Sequence, residues 1–312
     1  WNWRVPRWNG WVRFGVIAAA VATTLLGAHA ATPAPSGLEL CEKAKTLGWR
    51  EQDGWVFSPS SLRTNYAVDA GALAGIARLV EALRAKGTTV VMVVVPPRSV
   101  VVADHLSQPV VFAGKPYSAA LARDSYQSVL ASLRGVGASA VDLVPASQTD
   151  PEAFFLFNDS HWSADGARRS GQAVASTIRT LPGNEQLSPR QFSTEAITPA
   201  VLGSGWLGGK IREVCGGDPV PLTIERTRTT PVGVGLLDES GPPQVVLVGT
   251  SFSGTEHFNF AGAIEQALGA DVLPVPIAGG GTTAAIRSFL PSPAFHDAPP
   301  KFLVWEFPLE HL

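Results

Sequence analysis

Residues 88–95, TTVVMVVV, constrain the fold more than any other stretch, because the run is β-branched and apolar without a polar break and ends at Pro96-Pro97. A strand with one wet face alternates polar and apolar side chains. A strand covered on both faces does not, so this run predicts a parallel sheet enclosed by helices. Residues 245–248 repeat the pattern and run into Gly249-Thr250-Ser251-Phe252-Ser253-Gly254. Leu73, Ile76, Leu79, Val80 and Leu83 recur at helical spacing with Arg78, Glu81 and Arg84 opposite and Gly87 at the stop position. Further helices are expected around residues 118–134, over 164–180 behind Ser163 as N-cap, over 258–268 and over 282–290. Strands are expected at 55–57, 140–144, 271–277 and 302–307. The alternation predicts an α/β three-layer sandwich with about five mostly parallel strands. Residues 181–243 stand apart as a Gly/Pro-rich insertion, with one short strand expected at 220–224 and residues 203–206 as a loop.

A buried strand that breaks sharply into Gly-x-Ser exposes a hydroxyl at its end, which makes Ser251 a candidate nucleophile. A serine hydroxyl attacks poorly unless a base takes its proton, and that base must itself be oriented by a third group. Asn158-Asp159-Ser160-His161-Trp162 supplies both. In Asp-x-His the carboxylate can bond one imidazole nitrogen and fix the tautomer while the other faces the serine. Each half also has a plainer meaning, a turn into a helix for Gly-x-Ser and a helix-capping loop for Asp-x-His-Trp. Both halves lie where a strand or loop enters a helix, the positions at which open α/β sheets gather their active residues. His257 is a rival base six residues after Ser251, expected on the following helix and pointing away.

Taken together, Asp159-Ser160-His161-Trp162 with the following Ser163-Ala164-Asp165-Gly166, and the late Gly249-Thr250-Ser251-Phe252, resemble the SGNH hydrolase-like domain of alginate O-acetyltransferases of the AlgJ and AlgX type. The resemblance covers about residues 50–312, with Asp53-Gly54-Trp55-Val56-Phe57, Val95-Pro96-Pro97 and Val304-Trp305-Glu306-Phe307-Pro308 as supporting landmarks. The order Asp159, His161, Ser251 is the permuted order of this family rather than that of ordinary SGNH enzymes, in which the serine comes first. The resemblance implies an exported acetyltransferase or acetylesterase acting on a polysaccharide acceptor, supplied with acetyl groups by a membrane-bound O-acyltransferase. A secreted esterase on small esters and a non-catalytic glycan-binding subunit are the alternatives. Longer members carry a carbohydrate-binding module, and the residues here reach Leu312 without one, so delivery of glycan is expected to fall to partners. The oxyanion donors are expected to be the N–H of Ser251 and one from the Gly279-Gly280-Gly281 loop, with Gly280 and Gly281 as candidates; a turn needing positive φ is the other reading of that loop. A third donor from asparagine is missing after Asn259. Arg98, Trp162, Trp206 and Glu306 are candidates for holding a sugar. Each has a structural alternative: a surface or loop-orienting arginine, core-edge tryptophans, an ion-paired glutamate.

A net charge of −2 with only 16% charged residues gives no basic field, which disfavours nucleic acid as a partner. At the N-terminus Arg4, Arg7 and Arg13 precede an apolar run over residues 14–31 and a Pro/Ser linker over 32–37. That pattern exports a chain. Ala28-His29-Ala30 fits a cleavage site, while the run is also long enough to anchor in the inner membrane, the outcome the family resemblance favours. The organisation expected is therefore a signal-anchor or signal peptide over 1–31, a linker and lead-in over 32–49, and the domain over 50–312, in the periplasm. Because the chain opens on Trp1 rather than methionine, residues preceding it are expected. The two cysteines, Cys41 and Cys215, are expected to form a disulfide in an exported protein. Without Cys-x-x-Cys or paired histidines, neither a metal nor a cofactor is expected.

Overall fold

The computed structural model describes residues 38–106, 110–112, 114–233 and 241–312. The expected export segment and its linker lie outside the described residues. In chain order the elements that position the site are helix α1 (Glu42–Thr46), hairpin strands β1 (Arg50–Gln52) and β2 (Trp55–Phe57), α2 (Ala70–Arg84), β3 (Thr89–Val95), α3 (Ala119–Gly135), β4 (Ser139–Val141), α4 (Ala164–Arg179), β5 (Phe192–Leu202), α5 (Trp206–Cys215), β6 (Leu222–Pro231), β7 (Val245–Gly249), the one-turn α6 (Ser251–Gly254), α7 (Phe260–Leu268), β8 (Val272–Pro276), α8 (Ala284–Phe289) and β9 (Phe302–Pro308). Five strands form one parallel sheet in the order β8-β7-β9-β3-β4. Among the described residues no helix is long and apolar enough to cross a membrane.

The unbroken apolar runs behave as strands buried on both sides. From β3, Val91, Val93 and Val95 point into one core with Val174 and Ile178 of α4 and Phe260 and Ile264 of α7. The alternate residues Val90, Met92 and Val94 enter a second core with Leu83 of α2 and Tyr126, Leu130 and Leu133 of α3. Strand β9 divides the same way: Phe302 and Val304 face the first core, and Leu303, Trp305 and Phe307 the second. By the period-two rule Glu306 therefore lies on the first face, in line with Phe302 and Val304. It is fully buried there.

The insertion departs from expectation. Strands β5 and β6 pair antiparallel from Phe192↔Pro231 to Leu202↔Leu222, with a register shift between Ile197 and Ala200. None of the eleven residues of β5 is fully buried. Hydrophobic periodicity is silent for such a strand, since its threonines and alanines face solvent or a polar neighbour. The expected loop at 203–206 is instead the lead into α5, which begins at Trp206. Two glycines, each lowering helix propensity by about 1 kcal/mol, hide this helix. The strand expected over 140–144 stops at Val141 because Asp142 Oδ1 accepts the N–H of Val144 at 3.0 Å and starts a helical turn. Cys41 and Cys215 are joined in a disulfide that ties α1 to the C-terminal end of α5.

Candidate active site

Strand β7 carries Ser251 to the C-terminal edge of the sheet. Thr250 caps the turn, its hydroxyl accepting the N–H of Phe252 at 3.3 Å, and Ser251 opens α6. Below the turn lies the Glu306 carboxylate, which accepts hydrogen bonds from the Thr250 N–H at 2.8 Å, the Thr250 hydroxyl at 3.0 Å and the Ser253 hydroxyl at 2.7 Å. Gly249 makes room for it, since a Cβ there would stand 2.5 Å from both Glu306 Oε2 and Ser253 Oγ. Gly249, Thr250 and Ser253 thus bracket Ser251 because each meets one buried carboxylate.

The Asp-x-His segment is held just as closely. Phe155 and Trp162 form an isolated antiparallel bridge, and the Leu156 N–H donates to the His161 carbonyl at 3.1 Å, closing residues 156–161 into a loop. Arg98 fills its centre, donating to the carbonyls of Leu156 at 2.8 Å, Phe157 at 2.9 Å and Asp159. Ser163 caps α4 through the Gly166 N–H. The His161 ring rests between Phe252 and Phe258, with centroids 4.7 and 5.4 Å away.

Asp159, His161 and Ser251 stand in one hydrogen-bonded line. His161 Nδ1 lies 2.6 Å from Asp159 Oδ1, and Nε2 lies 2.7 Å from Ser251 Oγ. An ionised carboxylate only accepts, so Nδ1 carries the proton in this arrangement and Nε2 is left to accept from the serine hydroxyl. The other carboxylate oxygen, Oδ2, accepts the backbone N–H of Trp206 at 2.5 Å, and Oδ1 also accepts the His161 N–H at 2.9 Å. Burial works to raise the Asp159 carboxyl. The hydrogen bond and charge of His161, with the N–H groups of Trp206 and His161, outweigh it and hold the group below the ordinary aspartate value. As the first residue of α6, Ser251 has an N–H without an intrahelical acceptor, free to serve an oxyanion.

Other expected residues lie elsewhere. Arg98 is 3% exposed, its donors turned onto loop carbonyls and its guanidinium stacked over Trp55 at 5.2 Å, so it orients the loop and offers no face to a sugar. Burial pushes its guanidinium down to about 10. Trp162 is wholly buried, donating from Nε1 to the Phe252 carbonyl at 3.1 Å, and is likewise closed to stacking on a sugar. Glu306 is fully buried and forms no ion pair among the described residues; it is engaged by the Thr250–Ser253 turn. The Gly280 N–H donates to the Ile277 carbonyl at 3.1 Å and is spent in a turn, while Gly279 and Gly281 hold φ of 73° and 61°. Residues 279–281 are therefore built as the positive-φ turn, and the expected second oxyanion donor is not supplied by Gly280. His257 sits on a one-turn 3₁₀ helix, with its buried Nδ1 lacking a hydrogen-bond partner. Of the residues expected to hold a sugar, Trp206 stays exposed, at 53%. Thr250, Ser253 and Asn158, which the sequence reading does not single out, are structural parts of the site. The Gly-Thr-Ser-Phe-Ser spacing and the Asn before Asp159 were the available signals.

Glu306 allows a test of this arrangement. Burial raises its carboxyl above the ordinary glutamate value near 4.5, against the pull of its three donors and of His161. A raised carboxyl means that the folded state favours the neutral form. Its contribution to stability is thus fullest below about 4.5 and declines as pH rises from there through the raised value. Glu306→Gln, which cannot ionise, is expected to remove that decline. Urea melts of variant and wild type across this range should diverge with rising pH, and parallel curves would contradict the assignment.

A serine, histidine and aspartate in line at the strand ends of a five-stranded parallel sheet flanked by helices define an α/β protein of the SGNH hydrolase-like kind. Residues 50–309 match the family described as SGNH hydrolase-like domain, acetyltransferase AlgX, and the chain belongs to that family. The alginate biosynthesis protein AlgX of Pseudomonas aeruginosa is 34% identical over 263 residues, covering 82% of this chain and 54% of AlgX. The probable alginate O-acetylase AlgJ of Pseudomonas putida is 31% identical over 285 residues, covering 84% and 69%. In three dimensions the chain superposes on P. aeruginosa AlgX with a TM-score of 0.77 at 31% identity, over 87% of this chain and 67% of that one. It superposes on the O-acetyltransferase domain of P. putida AlgJ with a TM-score of 0.67 at 29% identity, over 84% and 90%. The chain spans about half the length of the AlgX proteins it matches.

Proposed function

We propose that this chain is an O-acetyltransferase of an exported polysaccharide, with Ser251 as nucleophile, His161 as general base and acid, and Asp159 as the group that orients and charge-stabilises His161. The observation that carries the reading is the 2.7 Å contact of His161 Nε2 with Ser251 Oγ, backed by the 2.6 Å contact of Nδ1 with Asp159. Ser251 Oγ attacks the carbonyl carbon of an acetyl donor as its proton passes to Nε2. The donor's leaving group departs with that proton, leaving acetyl-serine. A sugar hydroxyl then gives its proton to Nε2 and takes the acetyl group, regenerating Ser251. The N–H of Ser251 is placed to share the negative charge of each tetrahedral intermediate.

The acceptor is a polysaccharide of the alginate type, by analogy with the relatives named above. Trp206 supports this: its backbone N–H meets the Asp159 carboxylate, and its half-exposed indole has Lys210 Nζ 5.8 Å from the ring centroid, a pairing suited to the face and carboxylate of a uronate sugar. Export to the periplasm, with residues 1–31 as signal or anchor, accords with the Cys41–Cys215 disulfide. Acetyl groups are then supplied by a membrane-bound acyltransferase.

Purified protein is expected to turn over a chromogenic acetyl ester, to be labelled at Ser251 by a serine-reactive sulfonyl probe, and to transfer acetyl to oligouronates. Turnover with water alone, unaffected by added oligosaccharide, would favour a small-ester esterase. Neither turnover nor labelling would leave a glycan-binding subunit.

A further inference from the structure

The insertion reaches into the proposed catalytic line from outside the sheet. Its helix α5 begins against the segment that carries Asp159. The Trp206 N–H donates to Asp159 Oδ2 at 2.5 Å, and the Gly208 N–H donates to the Asn158 carbonyl at 2.9 Å. The approach is so close that a Cβ on Gly205 would stand 2.4 Å from the Asn158 carbonyl oxygen. Asn158 in turn donates from Nδ2 to the Val220 carbonyl at 3.3 Å, fastening the segment to the residues after α5. At its other end the helix is fixed through Cys215 to Cys41, and its apolar face, Leu207 and Ile211, packs with Ala44 and Val56. Asp159 therefore has one oxygen bonded to the base and the other bonded to a helix that is anchored at both ends.

We infer that α5 is part of the catalytic apparatus: the Trp206 N–H, delivered by a helix whose far end is tied by the Cys41–Cys215 bond, is a positioning donor that fixes the Asp159 carboxylate and, through it, the His161 ring. This rests on the proposed roles of Ser251, His161 and Asp159. A carboxylate with only one oxygen held can swing about its Cβ–Cγ bond, and the ring bonded to it follows. Holding the second oxygen removes that freedom. The donor also lies at the first turn of a ten-residue helix, where the backbone dipole favours an anion.

A backbone donor can be deleted here with little change to the helix. Trp206 is the first helical residue, the position where proline is best tolerated, and Gly205 already holds φ −68° and ψ 164°, the extended conformation required before proline. Trp206→Pro removes the indole and replaces the N–H by a ring carbon that displaces the Asp159 oxygen, whereas Trp206→Ala removes only the indole, so their ratio reports the loss of the hold on the carboxylate. On a small acetyl ester, Trp206→Pro is expected to lower kcat about 10- to 100-fold relative to Trp206→Ala, the worth of one charge-assisted hydrogen bond, with KM little changed. The far-downfield proton resonance of the His161–Asp159 hydrogen bond should shift or broaden in the proline variant and persist in the alanine variant. A ratio near one, with circular dichroism showing both variants folded, would overturn the inference. If the proline variant does not fold, the full chain carrying Cys41→Ser with Cys215→Ser tests the same helix from its other end: a lower kcat at unchanged KM supports the inference, and an unchanged kcat overturns it. Should Ser251→Ala retain turnover, the reading of the site itself fails, whatever the proline-to-alanine ratio.

Discussion

Asp159→Asn is expected to fold normally, retain its disulfide and lose on the order of 10⁴-fold in acetyl-ester turnover. The amide keeps the size and shape of the carboxylate but can present an N–H to His161 Nδ1. That favours the tautomer whose Nε2 bears the proton, and such a ring cannot accept from Ser251. Ser251→Ala and His161→Ala are expected to cost at least as much. Because the three act as one unit, any pair of these changes should cost little more than the worse single one. The check is kcat/KM on a chromogenic acetyl ester for three single and two double variants. Near-wild-type turnover in Ser251→Ala, or loss in His257→Ala alongside normal activity in His161→Ala, would assign the chemistry to other residues.

Arg98→Ala is expected to act on the fold rather than on a substrate. The change leaves the carbonyls of Leu156, Phe157 and Asp159 without their donor and empties the space against Trp55, Phe57 and Phe155. A buried acceptor left without its donor typically costs about 1 to 3 kcal/mol, so losing the donor to three carbonyls takes a large share of a domain's stability. Arg98→Lys should fall between the two, since a single ammonium cannot span three carbonyls as the planar guanidinium does. Urea denaturation decides the matter. A loss under about 1 kcal/mol for Arg98→Ala would place the residue among ordinary surface positions.

The elements that hold the sheet together were legible because their sequences have one meaning. A run such as Val90 to Val95 can be satisfied only between two apolar layers, and the alternation of β3 between two cores is what such a run requires. Ser251 and His161 were legible only in combination, since each segment alone has a plainer meaning; 90 residues of chain separate the two groups that meet at 2.7 Å. The roles of Arg98 and Glu306 were not. A charged side chain at a strand end looks the same in sequence whether it faces solvent or lies buried, and only the positions of the loop carbonyls and of the Thr250 and Ser253 donors distinguish the cases. Helix α5 was hidden for a different reason: Gly208 and Gly209 weaken it locally, while its support comes from Cys41, Ala44 and Asn158, all remote in sequence.

The strand order has a consequence for how the site is assembled. Strand β9 follows the other described strands in sequence, yet it lies in the middle of the sheet, and β7 meets β3 only through it. Without β9 the sheet is two separate parallel pairs, β3 with β4 and β7 with β8, each exposing the edge that β9 occupies. The half carrying His161 and the half carrying Ser251 are joined only when residues 302–308 insert between them. The same insertion delivers Glu306 beneath the serine. Assembly of the sheet and the meeting of Ser251 with His161 thus both depend on β9.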